Sequence, residues 1–316
     1  MKILVTGAAG FIGFHISNYL LKKKINVIGI DNLDDYYSIN LKKNRLSLLK
    51  KNKNFKFIKI DISSNRLKKV LKKYHFDIVV HLAAQAGVRY SLINPKKYIH
   101  SNIKGFGNLF ESINTKNLKK VIYASSSSVY GDTKNFPTKE NQKTNPKNIY
   151  GFSKVINEQM SEYYFNLLKV PFIGLRFFTI YGEWGRPDMF ILKTLIGNEK
   201  KKIFYLNNNG NHLRDFTSIK DVLKICDKII KKKFLNNEIY NVCSNNPQLI
   251  KRVLTYIQKE YGNIKYKNIK KNKADVLNTH GDNSKIKKDF KIDKFQNFKN
   301  ELIELINWYK SVKNIF

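Results

Sequence analysis

Cysteine, proline and acidic side chains are all scarce in this chain of 316 residues, and long apolar runs are missing. The two cysteines, Cys226 and Cys243, form no CxxC pair, which gives a thiolate metal site little support. The six histidines show no ligand spacing, so no metal is expected. Six prolines beside sixteen glycines exclude a collagen-like or low-complexity chain. No stretch approaches the roughly 18 consecutive apolar residues of a membrane helix. Met1-Lys2-Ile3-Leu4-Val5 enters a strand at once, so neither a secretory leader nor a membrane partner is expected, and the expected location is the cytoplasm. Acidic residues number 24 against 59 Lys and Arg, a net charge of +35. Such an excess suits a nucleic-acid binder, but lysines occur in nearly every block of ten, with no basic tail and no nucleic-acid module. Lys, Asn and Ile share A/T-rich codons, and the even spread fits that bias better than a binding surface.

What the chain does have is a rhythm. Short β-branched runs alternate with helical stretches, the pattern of βαβ units and a parallel sheet. Strands are expected at Lys2–Thr6, Asn26–Asp31, Phe55–Asp61, Ile78–Leu82, Lys120–Ser125 and Phe172–Phe178. Helices are expected at Phe11–Lys23, Leu41–Leu49, Arg66–Tyr74, Pro95–Asn114 and Tyr150–Leu168. Beyond Phe178 the pieces shorten; the clearest are a helix at Lys220–Lys232, a strand at Glu238–Cys243 and a helix at Phe298–Lys313. The fold class is α/β: a doubly wound (Rossmann) parallel sheet with a smaller mixed α/β C-terminal substrate-binding domain. The sheet domain is expected over 1–178 plus roughly 215–245, and the substrate domain over roughly 179–214 and 246–316.

The first strand runs into Gly7-Ala8-Ala9-Gly10-Phe11-Ile12-Gly13, which opens a helix. Glycine permits unusual backbone angles, and a missing side chain lets a pyrophosphate reach the free amides of a helix N-terminus. Asp31 ends the second strand eighteen residues beyond Gly13, where its carboxylate can accept from ribose hydroxyls and repel a 2′-phosphate. No arginine follows closely in Asn32-Leu33-Asp34-Asp35, so NAD is expected over NADP. Asp61-Ile62 and Leu82-Ala83-Ala84 close two further strands beside the same cleft, the first within reach of an adenine or simply capping the next helix.

Tyr150-Gly151-Phe152-Ser153-Lys154 puts a phenol and an ammonium on one helix face. An adjacent Lys⁺ and an oxidised nicotinamide both favour a phenolate. Ser125 through Ser128 end the fifth strand and can face that tyrosine. Further segments are distinctive: His81-Leu82-Ala83-Ala84-Gln85-Ala86-Gly87-Val88-Arg89-Tyr90-Ser91, then Leu175-Arg176-Phe177-Phe178-Thr179-Ile180-Tyr181-Gly182 and Trp184-Gly185-Arg186-Pro187-Asp188-Met189. Together these motifs resemble the extended short-chain dehydrogenase/reductase family and, within it, the UDP-glucuronate 4-epimerase group. The resemblance runs from Met1 to about Asp221 and more weakly to the C-terminus.

The resemblance implies tightly bound NAD, contacted by Gly7, Gly10, Phe11, Ile12, Gly13, Asp31, Asn32, Asp61, Ile62, Leu82, Ala83 and Ala84 together with Tyr150 and Lys154. It implies catalysis by Tyr150, Lys154 and Ser126, and substrate contacts at Arg89, Ser126, Ser127, Thr179, Arg186, Arg214 and Asp275. Arg214 corresponds to a diphosphate-binding arginine, and Asp275 closes Asn272-Lys273-Ala274-Asp275, which lacks the proline usual there. The implied reaction is 4-epimerisation of a UDP-sugar, UDP-glucuronate to UDP-galacturonate, through a transient 4-keto sugar. Related dehydratases carry an acid in the serine segment, where this chain has Ser127 and Ser128, so dehydration is disfavoured. A neutral UDP-sugar 4-epimerase and a non-catalytic NAD-binding protein remain alternatives. Arg186 with Thr179 would suit a sugar carboxylate, unless Arg186 merely pairs with Asp188. A homodimer is implied through the helices Pro95–Asn114 and Tyr150–Leu168, with Ile99, Ile103, Phe106, Leu109, Phe110, Val155, Ile156 and Met160 available for it or for the sheet.

Overall fold

In Lys2–Thr6 (β1), Ile3 and Val5 point to one face and Leu4 to the other, all fully buried. A strand apolar on both sides needs cover on both, and the rest of the chain supplies it. The structure is a computed structural model that describes residues 1–270, 275–312 and 315–316. After β1 come α1 (Phe11–Lys22), β2 (Asn26–Asp31), α2 (Ile39–Lys50), β3 (Phe55–Lys59), α3 (Leu67–Leu71) and β4 (Ile78–His81). Next are α4 (Tyr90–Ile93), α5 (Pro95–Tyr98), a π-helical turn at Ile99–Lys104, α6 (Gly105–Ser112), β5 (Lys120–Ser126), α7 (Ile149–Leu168) and β6 (Phe172–Phe177). The remainder comprises β7 (Thr179–Tyr181), α8 (Phe190–Glu199), β8 (Phe204–Asn207), β9 (Leu213–Ser218), α9 (Ile219–Lys231) and β10 (Glu238–Val242). It ends with β11 (Pro247–Leu249), α10 (Ile250–Tyr261), β12 (Tyr266–Ile269), α11 (Ser284–Phe290) and α12 (Phe298–Val312).

Seven strands form one sheet in the order β10-β6-β5-β4-β1-β2-β3, every neighbouring pair parallel. The order reverses between β1 and β4, and a doubly wound sheet opens its ligand crevice at such a point, beyond the strands' carboxyl ends. Two smaller sheets, β11-β9-β7 and β12-β8, lie in the later part of the chain. A separate apolar core there gathers Leu192, Leu195, Phe216, Val253, Ile257, Leu302 and Leu305. No helix among the described residues is long and apolar enough to cross a membrane.

Several expected ends move, each for a local reason. The strand expected to Leu82 stops at His81 because the Thr6 hydroxyl accepts from the amides of Leu82 and Ala83, at 3.1 and 3.0 Å. The strand expected to Asp61 stops at Lys59, and the Asp61 carboxylate turns back to accept from the Ser63 amide at 2.8 Å. The helix expected over Arg66–Tyr74 shrinks to Leu67–Leu71, where Lys68 and Lys69 inside it and Lys72 and Lys73 just beyond its end repel one another at helical spacing. Asn272, Lys273, Ala274 and Lys313 lie outside the described residues.

The π-helical turn interrupts the helix expected over Pro95–Asn114, and it aims Asn102 inward. Asn102 accepts from the Gln85 amide at 2.7 Å and donates to Ser153 at 2.9 Å, tying the loop after β4 to α7. Phe106, Leu109 and Phe110, available in sequence for an interface, are instead buried against the chain's own sheet. An inward stripe and an interface stripe have the same helical period, so spacing alone does not separate them.

Candidate active site

A cleft of about 750 Å³ opens at the carboxyl ends of the strands, and every candidate residue from the cofactor and substrate sets lies on its wall. The turn after β1 forms its floor. Gly7 has φ +69°, and a Cβ there would sit 2.9 Å from the Ala83 nitrogen; one at Gly13 would sit 2.1 Å from the Gly7 carbonyl oxygen. Side chains are therefore excluded where α1 meets β1 and the loop after β4. Gly10 caps α1 with no side-chain bond, and the first turn carries no acid, so its free amides and dipole face the cleft ready for an anion. Asp31 sits at the tip of β2, accepting from Ala9 at 3.0 Å through one oxygen and from Leu33 at 2.8 Å through the other. Each oxygen retains capacity for a hydroxyl. Burial pushes the Asp31 carboxyl up, opposed chiefly by the Leu33 amide. Asn32 donates to Asp61 at 2.8 Å, so one residue joins the second and third strand ends. These residues fit a dinucleotide: a side-chain-free cradle at a helix N-terminus and a carboxylate placed for a ribose.

The polar machinery stands on the opposite wall. Asn148 caps α7 by accepting from the Gly151 amide at 2.9 Å, which sets Tyr150 and Lys154 on the cleft side one turn apart. Lys154 is buried and donates to the Ala124 carbonyl at 2.8 Å, its Nζ 6.0 Å from the centre of the Tyr150 ring. Burial brings the Lys154 ammonium down to about 8, against the pull of Glu158 one turn later. Tyr150 shares the cleft wall with Ser126 at the end of β5 and meets Tyr98 edge-on at 6.1 Å. Burial holds the phenol above its ordinary value, and the downward pulls come from Ser126 and the charge of Arg186. His81, behind this wall, is lowered to about 3 by burial and the Lys154 charge, so its ring is neutral beside Thr6, 2.7 Å away.

The charged residues expected at the substrate end are brought to the cleft, but with partners of their own. Arg186 gives Nε and Nη2 to Asp188 at 3.0 and 2.5 Å. Burial raises the Asp188 carboxyl, but Arg186 and Tyr36 more than reverse this and hold it ionised below the usual carboxylate range. Arg89 pairs with Asp275 at 3.2 and 2.7 Å, and Asn207 donates to the same carboxylate at 3.0 Å. Arg214 donates to the carbonyls of Leu213, Val276 and Leu277, and burial lowers its guanidinium to about 10. Thr179 and Ser127 line the wall between these groups and Tyr150.

Three participants escape the sequence reading. Tyr36 reaches across 152 residues to donate to Asp188 at 3.0 Å. Tyr98 donates to the carbonyls of Ala86 and Gly87. Arg45, fully buried, bonds the Ala9 carbonyl at 3.0 Å and those of Trp184 and Gly185 at 2.6 and 3.0 Å. It thereby locks the dinucleotide turn to the loop bearing Arg186. An isolated arginine among the lysines of α2 was the only hint.

Comparison with known proteins agrees over the whole chain. A UDP-glucuronate 4-epimerase of Thermodesulfobacterium geofontis is 38% identical over 97% of this chain and 95% of its own length. UDP-glucuronate 4-epimerase 4 of Arabidopsis thaliana is 35% identical over 98% of this chain and 76% of its own. Among solved structures, UDP-glucuronic acid 4-epimerase from Bacillus cereus, in complex with UDP-glucuronic acid and NAD, matches with a TM-score of 0.92. That match is 30% identical and covers 99% of this chain and all of the other. Residues 3–243 match the NAD dependent epimerase/dehydratase family, and the chain belongs to that family.

Proposed function

We propose that this protein is an NAD-dependent UDP-sugar 4-epimerase that interconverts UDP-glucuronate and UDP-galacturonate. The observation that carries the reading is the wall opposite the dinucleotide cradle, where Tyr150, Ser126, Thr179 and Arg186 converge within one cleft. Tyr150 takes the proton of the sugar's 4-hydroxyl, and Ser126 holds that oxygen in line with the phenol. Lys154 supplies positive charge one turn away and a donor for the cofactor's ribose. NAD, when bound on Gly7, Gly10, Gly13 and Asp31, supplies a hydride acceptor that gives back what it takes. The sugar turns over between the two transfers, so carbon 4 would take the hydride back on its opposite face while Tyr150 returns the proton to the 4-oxygen. Arg186 and Thr179 grip the carboxylate with two donors of different kind, while Arg214, Arg89 and Asp275 serve the nucleotide end. Residues 1–178 with roughly 215–245 form the NAD-binding part, and roughly 179–214 with 246–316 the substrate part. The proposed location is the cytoplasm.

Offering UDP-glucuronate and UDP-glucose separately and resolving the products tests the substrate. Turnover of UDP-glucuronate is expected to dominate; equal or greater turnover of UDP-glucose would assign the protein to neutral sugars. NAD is expected to copurify and to stay bound through turnover, because a released reduced cofactor would strand the 4-keto sugar. Spectra of the denatured protein measure it, and a preference for added NADP would overturn the role given to Asp31.

A homodimer is also proposed. On α7, Phe152, Tyr163 and Leu167 are 48%, 62% and 60% exposed, and Ile99 on the neighbouring helical stretch is 50% exposed. An apolar stripe of this size on two adjacent helices suits a second copy of itself. Light scattering at micromolar concentration should give twice the 37.0 kDa chain mass, and Tyr163→Glu should halve it. A parent protein of single mass would refute the dimer.

A further inference from the structure

Arg186 offers a half-buried guanidinium to the cleft, yet one full edge of it is already taken. Asp188 holds Nε and Nη2, and Tyr36 donates to the same Asp188 oxygen that Nη2 meets. The Tyr36 ring lies 5.8 Å from the guanidinium carbon. Its hydroxyl is wedged against the loop after β4, where a Cβ on Gly87 would come within 2.2 Å of it. The loop after β2, which follows the ribose-facing Asp31 and Asn32, therefore reaches over the cleft and fixes the arginine's partner. A fork occupied along Nε–Nη2 keeps its Nη1 side for another acceptor.

Epimerisation imposes an unusual demand on such a group. The sugar must be gripped by its carboxylate, then released so that the ring can turn, then gripped again. A bare half-buried cation would resist the release, because losing its one partner leaves its charge uncompensated on the wall of the cleft. Resting on the reading of the substrate as UDP-glucuronate, we propose that Asp188 and Tyr36 are positioning residues that give Arg186 a resident partner. They turn its Nη1 side to the sugar and weaken its hold on the carboxylate enough for the ring to rotate. Asp188 is thus a determinant of turnover, acting through Arg186 and not by touching the sugar.

The test is steady-state kinetics of the full-length, NAD-loaded protein and its Asp188→Asn and Tyr36→Phe variants, with UDP-glucuronate and with UDP-glucose. Asp188→Asn keeps the size of the side chain and removes its charge. For UDP-glucuronate the expected result is a split: KM falls about fivefold or more, the low end of coupling between adjacent sites, and kcat falls at least as far. UDP-glucose, which has no carboxylate, should show no fall in KM. Tyr36→Phe should move both constants the same way by less, and it carries the test if Asp188→Asn yields no folded, NAD-containing protein. A rise in KM for UDP-glucuronate with kcat unchanged would mean that Asp188 merely steadies the clamp, and would overturn the proposal. Unchanged constants in both variants would overturn it as well. Failure of the underlying reading shows separately, since the parent protein would then prefer UDP-glucose before any variant is made.

Discussion

Tyr150→Phe is expected to lower epimerisation of UDP-glucuronate by at least about 10²–10⁴-fold, the usual contribution of a general acid–base group, with NAD still bound. The substitution removes one oxygen and leaves the ring. Its edge-on contact with Tyr98 at 6.1 Å survives, as does the Asn148 cap that starts α7. What disappears is the hydroxyl that meets Ser126 and takes the sugar's proton, and Ser126 is too weak a base to replace it. Because burial holds Tyr150 high while Ser126 and Arg186 pull it down, the parent's activity should rise with pH as the phenol ionises. That rise should vanish in the variant. Product chromatography across a pH series, with NAD measured in the denatured variant, checks both parts. Turnover within a few fold of the parent would remove Tyr150 from the mechanism.

The largest expected effect on stability comes from behind the site. Arg176 on β6 gives Nε and Nη2 to the two oxygens of Glu158 on α7, both at 2.8 Å, with side chains only 5% and 9% exposed. Its Nη1 bonds the Tyr130 hydroxyl and the Glu140 carbonyl, each at 2.8 Å. Arg176→Met leaves Glu158 charged in the core with Ser125 as its remaining side-chain donor, 2.5 Å away. Removing one partner of a buried pair costs about 3–5 kcal/mol, whereas replacing both by apolar groups of similar volume is often nearly neutral. Arg176→Met should therefore lower the urea midpoint sharply, and Arg176→Met with Glu158→Leu should recover most of the loss. The double variant should still be slow, since Glu158 supports the charge of Lys154 one turn before it. A single variant as stable as the parent would show that the pair contributes little.

How much of this was written plainly in the chain depends on distance along it. Leu4, Val79 and Val121 each sit inside a short apolar run of their own, so the sheet's first six strands were legible to within a residue or two. Gly7, Asp31, Tyr150 and Lys154 were legible because each is fixed by a strand end or a helix start close by. In the later half the helix at Ile219–Lys231, the strand at Glu238–Val242 and the helix from Phe298 were legible, and the short strands were not. β7, β8, β9, β11 and β12 are three to six residues long, some rich in lysine and asparagine, and their pairing depends on partners far away. Thr179 pairs with Phe216, for instance, and Tyr266 with Phe204. Tyr36 and Arg45 stayed hidden for the same reason, since no local spacing reports the Tyr36–Asp188 and Arg45–Trp184 bonds, each spanning well over a hundred residues. The Arg186–Asp188 pair was visible as an alternative to a cleft-facing arginine, and the structure holds both arrangements at once.

The π-helical turn at Ile99–Lys104 also acts as a spacer. An α-helix advances about 100° per residue, so one extra residue in a turn changes the phase of everything before it relative to everything after. Ahead of that turn stands Tyr98, whose hydroxyl grips the Gly87 carbonyl and whose ring borders Tyr150. After it come Phe106 and Phe110, seated under the sheet. A regular helix through this segment could satisfy the sheet or the cleft, but not both. The helix is in effect two rulers joined with an offset, and a deletion of one residue here would remove the offset and put Tyr98 out of step with Phe106 and Phe110.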